Sequence, residues 1–199
     1  MTPYTVPELT EMSRQLRRDV IKMLMISTSG HSGGPLGLAD VFASLYFHLL
    51  KLDPKNPAME SRDYFFLSAG HLCPIWYATL ARRGYFPLAK LNTLRQINGN
   101  LQGHPAPAST HGVPGVEIAS GALGQGLSVG VGCALGLRHD KKPNTVFVLA
   151  GVRRDQLFRG AAAMQDGRAG ATDCASGYRT APAIRRRPPR SAPPQPRLE

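Results

Sequence analysis

From Val6 to Thr28 the apolar side chains Leu9, Leu16, Val20, Met23 and Leu24 recur at helical spacing, with Arg14, Arg17, Arg18 and Lys22 at other positions. This pattern predicts an amphipathic helix with one buried stripe, stopped at Ser29-Gly30. A second helix is predicted from about Gly37 to Leu50, where Leu38, Val41, Phe42, Leu45 and Leu49 repeat the spacing. The period then changes. Asp53-Pro54-Lys55-Asn56-Pro57 is turn chemistry, and Asp63 to Leu67 is a short apolar run bounded by Ser68-Ala69-Gly70, as expected of a buried strand. Pro74 opens a third predicted helix that runs through Trp76, Tyr77 and Leu80 to Gly84, and Phe86 to Leu94 reads as a fourth, short one. Residues 98–117 are rich in Gly, Pro, Asn and Ser and read as an extended loop, longer than compact domains usually tolerate without function. Leu123 to Arg138 is the last predicted helix, with Gly126 and Gly130, then Gly132 and Gly136, four apart, so that a neighbour can approach closely. Thr145 to Gly151 is a continuous β-branched and aromatic run of the kind found inside parallel sheets. Strands separated by helices imply a three-layer α/β domain.

The pattern stops at Gly151. Residues 152–199 hold ten Arg, no Lys and only four carboxylates, so this last quarter supplies +6 of the formal +11. It also holds six of the seventeen prolines and almost nothing large to bury, which predicts a disordered basic tail behind a folded module at residues 1–151. A basic partner surface is therefore no property of the folded part. The run Arg185-Arg186-Arg187-Pro188-Pro189-Arg190 raises the alternative of a nucleic-acid or polyanion binder, but no aromatic residue interleaves with the arginines, and a solvated tail is the simpler expectation. Cys73, Cys133 and Cys174 are odd in number and share no metal-ligand spacing, as expected in a reducing cytoplasm. The start of the chain does not read as a signal peptide. Ile118 to Leu137 carries no charge for twenty residues, yet its six glycines favour a buried glycine-rich helix over a membrane span.

Three histidines sit in glycine-flanked turns: Gly30-His31-Ser32-Gly33-Gly34, Ser68-Ala69-Gly70-His71 and Gly103-His104-Pro105. A histidine that only fills core space needs no such neighbours, whereas glycine lets a ligand lie against the backbone. In a parallel α/β domain ligands bind beyond the carboxyl ends of the strands, which places chemistry in the loops after Leu67 and after Leu149. No dinucleotide or P-loop fingerprint is present: Gly121, Gly124 and Gly126 have no strand immediately before them. They suit the exposure of backbone groups to a flat ligand. A histidine metal site would need Asp40, Asp63 or Glu117 to join it, and no pair has the tight spacing of zinc ligands.

These segments, together with Arg62-Asp63, Pro114-Gly115-Val116-Glu117 and Gly121-Ala122-Leu123-Gly124-Gln125-Gly126-Leu127-Ser128, resemble in order and spacing the N-terminal, diphosphate-binding module of transketolase, over roughly residues 8–151. The motifs are most similar to those of the separately encoded N-terminal subunit of split transketolases. Deoxyxylulose phosphate synthases and dihydroxyacetone-transferring relatives share the module, but the residues around His71 and Gly121 favour transketolase. The resemblance implies thiamine diphosphate and Mg2+ as cofactors, sugar phosphates as substrates, a homo- or hetero-oligomer, and a separate C-terminal subunit carrying the pyrimidine-binding module. By position it implies His31 and His104 as catalytic residues at the substrate, His71 near the cofactor's diphosphate, and backbone groups of Gly121 and Leu123 at the aminopyrimidine ring.

One departure stands out. Where the family continues with Gly-Asp-Gly and a later Asn that hold the metal, Gly151 is followed here by Val152-Arg153-Arg154, and residues 152–199 contain no Asn. Magnesium needs oxygen ligands, which valine and arginine lack. The expectation is a partial module, inactive by itself, whose reading frame departs from the ancestral one just after Gly151.

Overall fold

The computed structural model describes residues 2–150; the expected tail and Gly151 lie outside the described residues. Helix α1 spans Val6–Ser27 and begins where Thr5 donates both its N–H and its hydroxyl to the Glu8 carboxylate, each at 2.7 Å. Its last turn closes on Thr28, at φ 50°, rather than on the glycine two residues later. Leu16, Val20 and Met23 form the buried stripe, as the spacing predicts.

The second predicted helix is not continuous. Helix α2, Gly33–Gly37, starts four residues earlier than expected and kinks at Leu38 into α3, Ala39–Ser44, which widens to a π turn over Leu45–Leu49. The kink is pinned from α1. Arg17 donates to the Leu36 carbonyl at 3.2 Å and to the Asp40 carboxylate at 2.6 Å, and Ser13 also bonds Asp40. The π turn brings both Tyr46 and Phe47 into the core.

Strand β1, Tyr64–Leu67, and strand β2, Val146–Leu149, pair in parallel, Phe65 opposite Phe147 and Phe66 opposite Val148. Between them lie α4, Cys73–Arg83, and α5, Gln125–His139. Alternation along β1 sorts its faces. Phe65 points to Phe42, Tyr46 and Trp76 on α3, the π turn and α4, while Phe66 lies against Gly130 of α5. The sheet is thus the middle of three layers. Gly126 and Gly130 are the reason α5 can lie on it: a Cβ at Gly126 would sit 2.6 Å from the Ser68 Cα, and one at Gly130 would strike Val148. Gly132 and Gly136 face open space, so only the first pair does what the spacing suggests.

Other boundaries move for local reasons. Leu88–Thr93, expected as α-helix, is a 3-10 helix. Helix α4 starts at Cys73, one residue before Pro74, after a 3-10 turn over Gly70–Leu72. Helix α5 starts at Gln125 rather than Leu123, because Gly124 takes φ 91°. Among the described residues no helix is long and apolar enough to cross a membrane.

Candidate functional site

The turn between α1 and α2 carries His31, the turn between β1 and α4 carries His71, and the long loop carries His104. The structure brings all three to one place, at the carboxyl end of β1. The His31 and His71 rings meet edge to face with centroids 5.0 Å apart. Partial burial, and then the neighbouring His31 and His104 rings, hold the His71 pKa below the ordinary histidine value. His71 is therefore neutral near pH 7, with one ring nitrogen a donor and the other an acceptor.

Gly121 closes the group, since a Cβ there would be 3.8 Å from the His104 ring. The Ser120 N–H donates to the Pro105 carbonyl at 3.1 Å, fastening the His104 turn to the glycine-rich segment. Gly70 lies so close beneath that segment that a Cβ would be 2.5 Å from the Ser120 carbonyl oxygen. The Ser120 hydroxyl is buried among these groups with no hydrogen-bond partner among the described residues. Leu123 turns its side chain toward the core, which leaves only its backbone for a ligand. Gly70→Ala is expected to destabilise the chain by about 1–3 kcal/mol, since backbone rather than a flexible side chain must give way. Urea unfolding measures that cost, and a variant as stable as the parent contradicts the close packing.

Three supports of this site are not apparent from the spacing. The Cys73 thiol donates to the Gly103 carbonyl at 3.2 Å and the Tyr77 hydroxyl donates to that of Gln102 at 3.0 Å, so α4 holds the turn that presents His104. Burial pushes the Cys73 thiol up to about 12, which makes it a structural donor and not a nucleophile. Arg95 donates to the Ser29 hydroxyl at 2.8 Å while its guanidinium lies against Gly103, and so it spans the His31 and His104 turns. Arg62 and Glu117 form a two-pronged ion pair that ties the start of β1 to the loop entering Ser120-Gly121. Arg62 and Glu117 lie in two of the sequence motifs; Arg95, Cys73 and Tyr77 carry no local signal.

The carboxylates considered for a metal are otherwise engaged. Asp40 is held by Arg17 and Ser13, Glu117 by Arg62, and Asp63 accepts from the Lys51 and Thr145 N–H groups at 2.8 and 3.0 Å. Among the described residues no group of three or more His, Cys, Asp or Glu side chains is placed to hold a metal ion.

Residues 8–145 match the family of the transketolase thiamine diphosphate binding domain. The chain is 43% identical over 122 residues to a 6-deoxy-6-sulfo-D-fructose transketolase subunit of a Clostridium species, covering 61% of this chain and 43% of that protein. It is 36% identical over 146 residues to one of the subunits of the apulose-4-phosphate transketolase of Phocaeicola vulgatus, covering 73% of this chain and 50% of that one. Among solved structures, the transketolase of Campylobacter jejuni superposes with a TM-score of 0.72 at 33% identity, over 80% of this chain and 26% of its own. That of Leishmania mexicana also reaches 0.72, at 28% identity, over 78% of this chain and 24% of its own. The chain thus spans half or less of the length of these relatives.

Proposed function

The chain belongs to the transketolase N-terminal, thiamine-diphosphate-binding family, and from that membership we propose that its histidine-lined site is the diphosphate-side half of a ketol-transfer centre. The observation that carries this reading is the convergence of His31, His71 and His104 on a glycine-rich segment with exposed backbone. The donor set suits the cofactor. Gly121 is exposed and lacks a side chain, Leu123 offers only backbone, and the orphaned Ser120 hydroxyl adds a polar group where a flat polar ring would lie.

When bound, thiamine diphosphate supplies the ring carbon that attacks a ketose carbonyl and the electron sink that lets the adjacent C–C bond break. The rest falls to this chain. His31 hydrogen-bonds the hydroxyls beside the reacting carbon, and His104 donates to the donor sugar's oxygens, where negative charge develops. His71 lies on the diphosphate side, where a ring N–H can donate to an anionic oxygen. Gly121 and Leu123 hold the aminopyrimidine edge through N–H and C=O.

The residues present do not fit the family's divalent metal, because each nearby carboxylate already has a cation or N–H partner and Val152-Arg153-Arg154 follow Gly151. With the pyrimidine-binding module left to a separate subunit, this chain alone turns over no substrate. Its substrates, once assembled, are a ketose phosphate donor and an aldose phosphate acceptor.

Calorimetric titration of the purified chain with thiamine diphosphate tests the reading. Weak saturable binding, unchanged by millimolar Mg2+, is expected. Binding that strengthens with Mg2+ contradicts the missing metal clamp, and absence of any binding contradicts the cofactor site.

A further inference from the structure

Strand β2 has one paired edge and one open edge. Among the described residues it pairs with β1 alone. The Tyr64 N–H donates to the Thr145 carbonyl and the Ser68 N–H to the Leu149 carbonyl, each at 2.9 Å. Residues 145, 147 and 149 thus turn their backbone groups to β1, and Val146 and Val148 turn theirs the other way. We propose that this edge accepts an extended segment of another polypeptide, apolar in its middle and acidic at both ends, as a third strand of the sheet.

Burial marks the edge as unfinished. Strands of parallel sheets are ordinarily covered on both faces, yet all four residues of β2 are only half-buried, whereas Phe65, Phe66 and Leu67 of β1 are buried. Phe147 and Leu149 pack against the core on one face, and Val146 and Val148 lie against Gly130 of α5 on the other. An added strand therefore meets apolar surface on both sides of its backbone. The devices that keep an edge strand single are missing from β2 itself, which carries no charge and no proline and keeps an unbroken register with β1.

Charge selects the occupant. Lys141 and Lys142 are exposed shortly before the strand, and Arg153 and Arg154 follow it in the sequence. Whichever way an incoming strand runs, both of its ends meet cations, so carboxylates at those ends are favoured. A second copy of β2 would bring the same cations to the same place, and like charges opposed across strands are unfavourable. The sequence of residues 152–199 is a poor source of a matching strand, since it holds six prolines and nowhere sets two β-branched or aromatic residues side by side. In the proposed complex the backbone ladder supplies affinity and the terminal charges supply selection.

The test is amide hydrogen exchange of the full chain, followed by NMR, alone and with a synthetic peptide in which valine alternates with threonine between paired glutamates. In the free chain the Phe147 and Leu149 amides are expected to exchange slowly and those of Val146 and Val148 quickly. The peptide is expected to slow Val146 and Val148 saturably, about tenfold or more, with little change in α1. A version with paired lysines at its ends is expected to bind about tenfold more weakly at low salt, and Lys141→Gln with Lys142→Gln, at exposed residues, to narrow that difference several-fold. Slow exchange at Val146 and Val148 in the free monomer means that the chain's own residues occupy the edge, and protection that appears only with concentration-dependent dimerisation means that a second copy does. Either result overturns the proposal, as does equal binding of the two peptides or absence of protection by the acidic one.

Discussion

Arg62→Ala is expected to cost about 3 kcal/mol of stability and to lower the thermal midpoint by roughly 6–12 °C for a domain of this size. The Arg62 and Glu117 side chains are only 12% and 20% exposed, and their fork is closed by a second bond at 2.8 Å. Removing the guanidinium leaves a carboxylate with little water to replace it, and that penalty exceeds the net worth of the pair. The same arginine lies 4.2 Å over the Tyr64 ring, and its carbonyl accepts from the Asn144 amide at 2.7 Å, so β1, the approach to β2 and the Glu117 loop meet there. The double variant Arg62→Met with Glu117→Leu is expected to regain most of the loss, since apolar groups of similar volume need no partner. Urea denaturation of the single and double variants checks this. A double variant as unstable as the single one contradicts a charge-based account.

What the sequence could convey about this fold follows from the range of each interaction. Periodicity locates α1 and both strands because the stripe of Leu16, Val20 and Met23 and the run from Tyr64 to Leu67 record burial directly. It misplaces the second helix because the kink at Leu38 is made by Arg17 and Ser13 gripping Asp40 from α1, a tertiary effect without local signature. The start of α5 moves two residues because the left-handed Gly124 ends the preceding segment, and Leu123 alone cannot signal that.

The candidate site divides in the same way. Glycine contexts single out His31, His71 and His104, since each close approach, such as Gly70 under Ser120, forbids a Cβ. Arg95 stays hidden, as its left-handed backbone is imposed by the Leu101 carbonyl and its direction by Ser29, 66 residues earlier. Cys73 and Tyr77 are likewise mute, because a thiol and a phenol on a buried helix look like core until the carbonyls they meet are known.

Trp76→Ala is expected to have the larger structural effect, about 4–5 kcal/mol, a third or more of the stability of many single domains. The indole is 1% exposed, its edge packs on Phe65 with ring centroids 5.2 Å apart, and its N–H donates to the Tyr46 hydroxyl. Truncation therefore opens a cavity and also orphans a phenol whose pKa burial already drives well above the ordinary tyrosine value. Trp76→Phe separates the two costs: it keeps most of the packing and is expected to lose about 1–3 kcal/mol, mainly through the unpaired Tyr46. The consequence reaches the site because Cys73 and Tyr77, which hold the Gln102 and Gly103 carbonyls, ride on the same helix as Trp76. Loosening α4 frees the turn before His104. Amide hydrogen exchange at residues 103 and 104 is thus expected to accelerate in Trp76→Ala more than exchange in the first turns of α1. Uniform acceleration across the chain would show that α4 carries no special coupling to the histidine cluster, and would leave the three imidazoles positioned by their own loops.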